Sequence, residues 1–253
     1  LIWGGEDLHI GLYEDTDDIR VASDAIIDHM RAALPALGND AEILDIGSGY
    51  GGSMRRVVAQ AGNRATCLNL SETQNDTNRL KIRQAGLAER ITVKHGTFEA
   101  IPEADALFDV VWSQDALLHS DARAQVLSEV WRVLKPGGYF AFTDPCQADD
   151  VPEGVLQPVY DRLQLNSLGS FGFYRDTASG LGFEIERQED MTTHMRTHYS
   201  RVGQELERRY QELRERGVSS GYLDQMLVGL QNWVDAADRG YLVWGVQLFR
   251  KPA

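Results

Sequence analysis

The sequence predicts an α/β fold: a mostly parallel seven-stranded sheet with helices on both faces, an antiparallel last strand and a helical cap inserted near the C-terminus. Three observations predict it. From residue 42 onward, short β-rich runs alternate with helical patterns, the mark of parallel strands joined by right-handed crossovers. A glycine-rich turn follows the first of these strands directly. The last apolar run, residues 241–249 (YLVWGVQLF), is reached through a long connection and has no helix after it, which fits an antiparallel edge or hairpin strand.

Residues 42–46 (EILDI) read as the first strand, then a glycine turn and a helix through residue 61. Residues 65–70 read as the second strand, 72–85 as a helix, and 91–95 as the third strand. The fourth is 108–113 (FDVVWS). In 121–134, Val126, Leu127, Val130 and Leu134 recur at helical spacing on one face. Pro136-Gly137-Gly138 should stop that helix and lead into a fifth strand, 139–143. A short helix at 176–182 and a sixth strand at 183–188 follow. Helices at 197–216 and 221–238 precede the last strand. The expected organisation is an N-terminal lid and helix (1–40), a cofactor-binding core (41–145), a cap or lid segment (146–174), core again (175–190), a helical cap insertion (191–239) and the last core strand (240–253).

The chain has 253 residues, 43% of them hydrophobic, enough to bury a core without disulfides or a metal. Its two cysteines, Cys67 and Cys146, show no metal-ligand spacing and read as buried free thiols in a reducing cytoplasm. No metal is expected. No apolar run approaches a membrane span, and no secretory signal is visible. The chain opens on Leu1 rather than Met, which leaves room for a preceding natural piece. A net charge of −13 argues against nucleic acid as a partner, because phosphate binding needs a basic face. There are 21 Arg and 4 Lys against 22 Asp and 16 Glu. Such short-carboxylate richness suits a protein that stays soluble in concentrated salt, in a halophilic or salt-stressed host; an ordinary acidic cytosolic enzyme is the plainer alternative. A monomer or a homodimer is expected.

The sharpest signal is Asp45-Ile-Gly47-Ser-Gly49-Tyr-Gly51-Gly52, directly after a strand and opening a helix. Glycines let the backbone approach a bound nucleotide, and the helix N-terminus offers unpaired N–H groups. The string satisfies G-x-G-x-x-G, so a nicotinamide dinucleotide has to be weighed, as has a structural turn with no ligand. Two features favour S-adenosylmethionine. Asp45, at the strand end, can receive the cationic methionine amino group but would crowd a pyrophosphate. The second strand ends at Asn69-Leu70, where a dinucleotide enzyme usually carries an acid for the ribose.

Five strings carry a resemblance: WGGEDLHIGLY (3–13), DIGSGYGG (45–52), CLNLSETQN (67–75), WSQDALLH (112–119) and LKPGG (134–138). With them the chain resembles the class I S-adenosylmethionine-dependent methyltransferases of Rossmann-like fold. It is most similar to the sarcosine/dimethylglycine N-methyltransferases that make glycine betaine. The phosphoethanolamine methyltransferases share the S-Q/R-D-A-x-x-H pattern. The resemblance implies that Asp45, Gly47 and Gly49 hold the methionine part of the cofactor. Asn69, Leu70 and Gln74 would face ribose and adenine, Thr97 and Phe98 would flank the adenine, and Gln114 and Asp115 would lie beside the reaction centre. Residues 3–13, with His9, would fold over the cofactor as a lid, and the product would be S-adenosylhomocysteine.

A sulfonium methyl is already activated, so transfer needs a neutral amine held in line at about 3 Å. The nascent quaternary ammonium must also be tolerated, a task for aromatic faces. Candidates are Trp3, Tyr13, Trp112, Tyr160, Phe171, Phe173, Tyr174 and Tyr199, of which Trp3, Tyr13, Tyr174 and Tyr199 are taken as substrate-binding. Most of the eight should be ordinary packing. His119 follows Asp115 by four residues, so the pair can share a helical turn; the resemblance implies that they are the polar catalytic groups, His119 accepting a proton or positioning a residue that does, and a satisfied histidine at a helix start, or proton loss to water, are the alternatives. An amino-acid acceptor needs an Arg for its carboxylate. Arg175, Arg196, Arg201 and Arg239 lie in the cap segments, and Arg201 is taken. Residues 205–216 (ELERRYQELRER) read as a solvated helix face. The reading is a methyltransferase acting on sarcosine and dimethylglycine. Phosphoethanolamine or a natural-product amine is the alternative acceptor, and a non-catalytic cofactor-binding regulator the remote one.

Overall fold

The computed structural model describes residues 6–253. Its first helix, α1 (Ile19–Ala33), starts where Asp18 accepts the backbone N–H groups of Arg20 and Val21. The regular alternation then begins: β1 (Glu42–Ile46), α2 (Gly52–Ala61), β2 (Arg64–Asn69), α3 (Glu72–Gln84), β3 (Ile91–His95), β4 (Phe108–Gln114), α4 (Arg123–Val133) and β5 (Leu134–Thr143). A 3-10 turn, Leu117–His119, lies between β4 and α4. Next come a short β6 (Cys146–Gln147), α5 (Gln157–Leu163), α6 (Phe171–Leu181) and β7 (Glu184–Asp190). Helices α7 (Thr192–Arg208), α8 (Tyr210–Glu215) and α9 (Ser220–Asp238) form the cap, and β8 (Leu242–Val243) and β9 (Gly245–Arg250) end the chain. Among the described residues no helix is long and apolar enough to cross a membrane.

The main sheet has seven strands in the order β3-β2-β1-β4-β5-β9-β7, with β9 antiparallel to both its neighbours. The last strand is therefore antiparallel, as the sequence suggested, but it is not an edge. It inserts between β5 and β7. The side chains explain why: β9 (GVQLFR) is buried along nearly its whole length, whereas β7 (EIERQED) is polar and tolerates an edge. Two apolar clusters cover the two faces, one built around Trp112, Trp233 and Trp244, the other around Phe140, Phe142, Tyr174 and Phe249.

Other boundaries moved for local reasons. Pro136 and Gly137 do not separate helix from strand: α4 ends at Val133, and β5 already pairs from Leu134. Gly137 takes φ +81° within the strand, and the pairing slips between Phe108 and Val110. The helix expected at 176–182 begins at Phe171, because the Ser170 hydroxyl caps it by accepting the N–H of Phe173 at 3.0 Å. The long helix expected at 197–216 is two, α7 and α8, broken at Arg209. The last run is interrupted at Trp244; the following Gly245 has no room for a Cβ against the carbonyl of Glu189.

Candidate active site

The strand order reverses between β1 and β4, since β2 and β3 lie to one side of β1 and β4 and β5 to the other. Open α/β sheets bind ligands at the carboxyl ends of such strands. A cavity of about 600 Å³ opens there. Asp45, Gly47, Gly49, Asn69, Leu70, Gln74, Thr97, Phe98, Gln114 and His9 all line it, together with Asp115 and His119.

The turn after β1 is built by the backbone. Gly47 and Ser48 both donate N–H to the carbonyl of Leu68, at 2.9 and 3.1 Å. Gly47 sits at φ +75°, and a Cβ there would collide with the Cβ of Ala116. Helix α2 then starts on Gly51, which has no side chain to cap it. Asp7 does so instead: its carboxylate accepts the N–H of Gly52 at 2.9 Å and of Ser53 at 2.8 Å. Its neighbour Glu6 pairs with Arg55. Neither contact was foreseen. The only trace in the sequence is the glycine pair at the helix start, which leaves the N-terminus in need of an outside acceptor.

Asp45 is 3% exposed, and its carboxylate takes no hydrogen bond from any described residue. Burial, and secondarily the Asp7 carboxylate, push its pKa well above the usual carboxylate range. Beside it the Gln114 carbonyl oxygen accepts from Ser53 at 2.6 Å and Trp112 at 3.0 Å, while its buried amide nitrogen has no partner. The Asn69 amide nitrogen donates to Gln74 at 3.1 Å and Asn75 at 3.3 Å, which leaves its oxygen as an acceptor. Leu70, 63% exposed, and Leu8, 52% exposed, present apolar surface to the cavity.

S-adenosylmethionine fits this donor set. Its ammonium matches the lone Asp45 carboxylate, its carboxylate the orphaned Gln114 amide, its ribose hydroxyls the Asn69 oxygen, and its adenine the Leu70 and Phe98 surface. A dinucleotide fits poorly, because Asp45 would face a pyrophosphate with no cation between them.

Asp115 follows β4 with φ +51°, a left-handed conformation that Asp tolerates better than most residues. Its Oδ2 accepts the N–H of Ile10 at 2.6 Å and its Oδ1 the indole N–H of Trp244 at 2.8 Å. Burial raises its pKa, against the pull of these two donors and the nearby His9. The proposed pairing with His119 does not form. The intervening residues make a 3-10 turn, and Asp115 is taken up by the lid and Trp244. His119 stands separately at the cavity, its pKa lowered by desolvation and by the Arg123 charge, so it is neutral near pH 7.

Residues 9–13 are stitched to several elements. His9 Nε2 lies 2.8 Å from the Ser23 hydroxyl of α1. Tyr13 N–H donates to His194 Nδ1 at 3.0 Å, and its hydroxyl to His198 Nδ1 at 2.8 Å. Burial lowers His198 to about 3, with His9 adding to the effect, so the ring is neutral and can accept there.

The substrate-side assignments fare differently. Tyr13 is spent on that lid contact and does not line the cavity. Tyr174 is fully buried and donates its hydroxyl to Asp144 at 2.8 Å. Tyr199 packs between His198 and Trp233 and borders a separate groove of α7 and α9. Arg201 pairs with Asp17, Arg175 with Asp176 and Arg196 with Asp238, all at the surface. Tyr13, Tyr174, Tyr199 and Arg201, expected to bind substrate, do not line this cavity and are engaged instead in core, N-terminal or surface contacts. Trp3 lies outside the described residues.

A family model described as a methyltransferase domain matches residues 44–142. The sarcosine/dimethylglycine N-methyltransferase of Halorhodospira halochloris is 47% identical over 252 residues, 99% of this chain and 90% of that one. The sarcosine/dimethylglycine N-methyltransferase of Aphanothece halophytica is 46% identical, covering 99% and 91%. A solved structure from Galdieria sulphuraria, provisionally called a sarcosine dimethylglycine methyltransferase, superposes with a TM-score of 0.92 at 40% identity, covering 99% and 96%.

Proposed function

Because the chain belongs to the family of sarcosine/dimethylglycine N-methyltransferases, we propose that it methylates the nitrogen of sarcosine and of dimethylglycine, with glycine betaine as the end product. The near-full-length match to relatives named for these two acceptors carries this reading. S-adenosylmethionine is the cofactor; it supplies an electrophilic methyl group and leaves as S-adenosylhomocysteine.

The chain's own residues bind, orient and move a proton. Asp45 holds the cationic amino group, the glycine turn lets the backbone close on the ligand, and Asn69 and Leu70 take ribose and adenine. Asp115 meets the acceptor nitrogen. The ammonium form has no lone pair, so one proton has to leave before transfer. The N–H bond breaks as an O–H bond forms on Asp115, and the proton then departs to water at the mouth, where neutral His119 stands. Asp115, again an anion, faces the positive charge that gathers on nitrogen. The segment from His9 to Tyr13 is fixed beside the cavity by its bonds to Asp115, Ser23, His194 and His198.

The test is methyl transfer from labelled cofactor to glycine, sarcosine, dimethylglycine and phosphoethanolamine. Turnover of sarcosine and dimethylglycine is expected, and turnover of phosphoethanolamine alone would remove the acceptor assignment. His119→Ala should leave cofactor affinity unchanged and slow transfer by about 10²-fold, the lower end for proton-moving side chains. An unchanged rate would show that the proton leaves without His119.

A further inference from the structure

Helices α5 and α9 enclose a crevice of about 680 Å³ at the cap. It shares no lining residue with the cofactor cavity among the described residues. Its wall carries Arg162, in the last turn of α5. The Arg162 stem lies across α9 at Gly229, where a Cβ would collide with the Arg162 Cδ and Nε. This half-buried guanidinium makes no ion pair and no hydrogen bond with any described residue. Burial pulls its pKa down, and the groups that act on it are the hydroxyls of Tyr199 and Tyr222, which are phenols and not carboxylates.

Such isolation stands out in a chain with 38 acidic side chains against 25 basic ones. Arg20, Arg31, Arg83 and Arg239 also lack a bonded partner, but all four are exposed to water. The arginines drawn in from the surface elsewhere are matched: Arg55 with Glu6, Arg56 with Asp28, Arg132 with Glu129, Arg123 with Ser167. Two acids do line the crevice. Asp161 accepts from the Gln157 amide at 2.7 Å and Asp224 from the Tyr210 hydroxyl at 2.7 Å. Neither pairs with Arg162.

A cation partly withdrawn from water costs free energy until an anion meets it. The guanidinium fork matches a carboxylate, which it can hold by two parallel N–H···O bonds. The rest of the crevice narrows the ligand. Asp161 and Asp224, bonded only by neutral donors, repel a phosphate or a polycarboxylate and attract a cation. Tyr222, 59% exposed, offers a ring face to an alkylated ammonium, and Met226 and Val228 offer apolar surface beside it. The volume lies within the range of small-molecule sites.

We propose that the α5–α9 crevice binds a small zwitterion, with its carboxylate on Arg162 and its alkylated ammonium against Tyr222 and Asp224, at a site separate from the place of methyl transfer.

The experiment is calorimetric titration of the full chain, saturated with S-adenosylmethionine, using glycine betaine as the probe. The transferable methyl group takes the room that the third N-methyl of glycine betaine would need, so the acceptor place is closed to the probe and the titration reads the crevice. Choline, which keeps the quaternary ammonium and lacks the carboxylate, is the control. Glycine betaine should bind about 10-fold or more tightly than choline, and Arg162→Met should weaken it about 10- to 100-fold, the loss expected for charge-assisted hydrogen bonds. In that variant kcat/KM for dimethylglycine should stay within about twofold of the parent, since Arg162 lies outside the catalytic cavity. Gly229→Ala is the second variant. It favours helix α9 but drives the Arg162 stem from its place, so glycine betaine should weaken there too. No binding to the parent would overturn the proposal. So would unchanged affinity in Arg162→Met, or in Gly229→Ala where Arg162→Met does not fold. Tighter binding of inorganic phosphate than of glycine betaine would overturn the ligand class. A fall of kcat/KM for dimethylglycine in step with glycine betaine affinity would overturn the separate site by placing Arg162 in the acceptor site. Binding is read directly, so failure of the unmodified protein to methylate dimethylglycine would remove the acceptor assignment and leave this site standing.

Discussion

Asp45→Asn is expected to weaken S-adenosylmethionine binding by tens to thousands of fold while making the unliganded protein more stable. The two effects have one cause. The Asp45 carboxylate is buried, lacks a hydrogen-bond partner among the described residues and feels Asp7 as a like charge. Its folded pKa therefore lies above its unfolded value. A carboxyl shifted in this direction favours folding below the unfolded pKa, and that contribution is lost as pH rises through the folded pKa. Above the unfolded pKa the buried Asp45 therefore burdens the empty protein, whether it pays to stay charged or to hold a proton, and an amide of the same shape relieves it. Each kcal/mol recovered should raise Tm by roughly 2–4 °C for a chain of this size. The cofactor reverses the balance by bringing a cation. Removing one member of a buried charge pair costs about 2–5 kcal/mol, which is the loss of affinity stated. Calorimetric titration and thermal unfolding of the same preparation measure both. A variant that binds as well as the parent, or that melts lower when empty, would show that Asp45 is not the ammonium partner.

The cofactor half of this site was legible because its signals are local. The strand, the Asp45 carboxylate and the glycines occupy consecutive residues, and Asn69-Leu70 ends the adjacent strand. The acceptor half was not, because it is assembled from distant parts. Tyr13 finds His198 across 185 residues, and Asp115 finds Trp244 across 129. No periodicity records such contacts. Aromatic residues were chosen by type, yet a large ring serves a core as well as a cation cage, and Tyr174 and Tyr199 went to the core. Arg201 is engaged elsewhere for a different reason. In a chain of net charge −13, a surface arginine has a carboxylate within reach, here Asp17.

Asp115→Asn should reduce kcat for dimethylglycine by about 10²–10⁴-fold, the range for loss of a proton-accepting side chain, with cofactor affinity changed only a few-fold. Asn is the informative replacement. At φ +51° it is accommodated nearly as well as Asp, whereas Ala would add backbone strain. Two donors, Ile10 N–H and the Trp244 indole, now meet separate carboxylate oxygens. The amide offers only one acceptor, so one donor is left without a partner, at about 1–3 kcal/mol. If Trp244 keeps its bond, the lid loses its anchor at Ile10 and KM rises along with the fall in kcat. The pH dependence separates chemistry from closure. In the parent protein, activity should disappear as pH falls through the raised Asp115 pKa, because a protonated carboxyl cannot take a proton from the acceptor. The variant has no such group, so its residual rate should show no acidic limb of that origin. A loss confined to KM, with kcat and the limb intact, would mean that Asp115 acts only as the lid's anchor and that another group receives the proton.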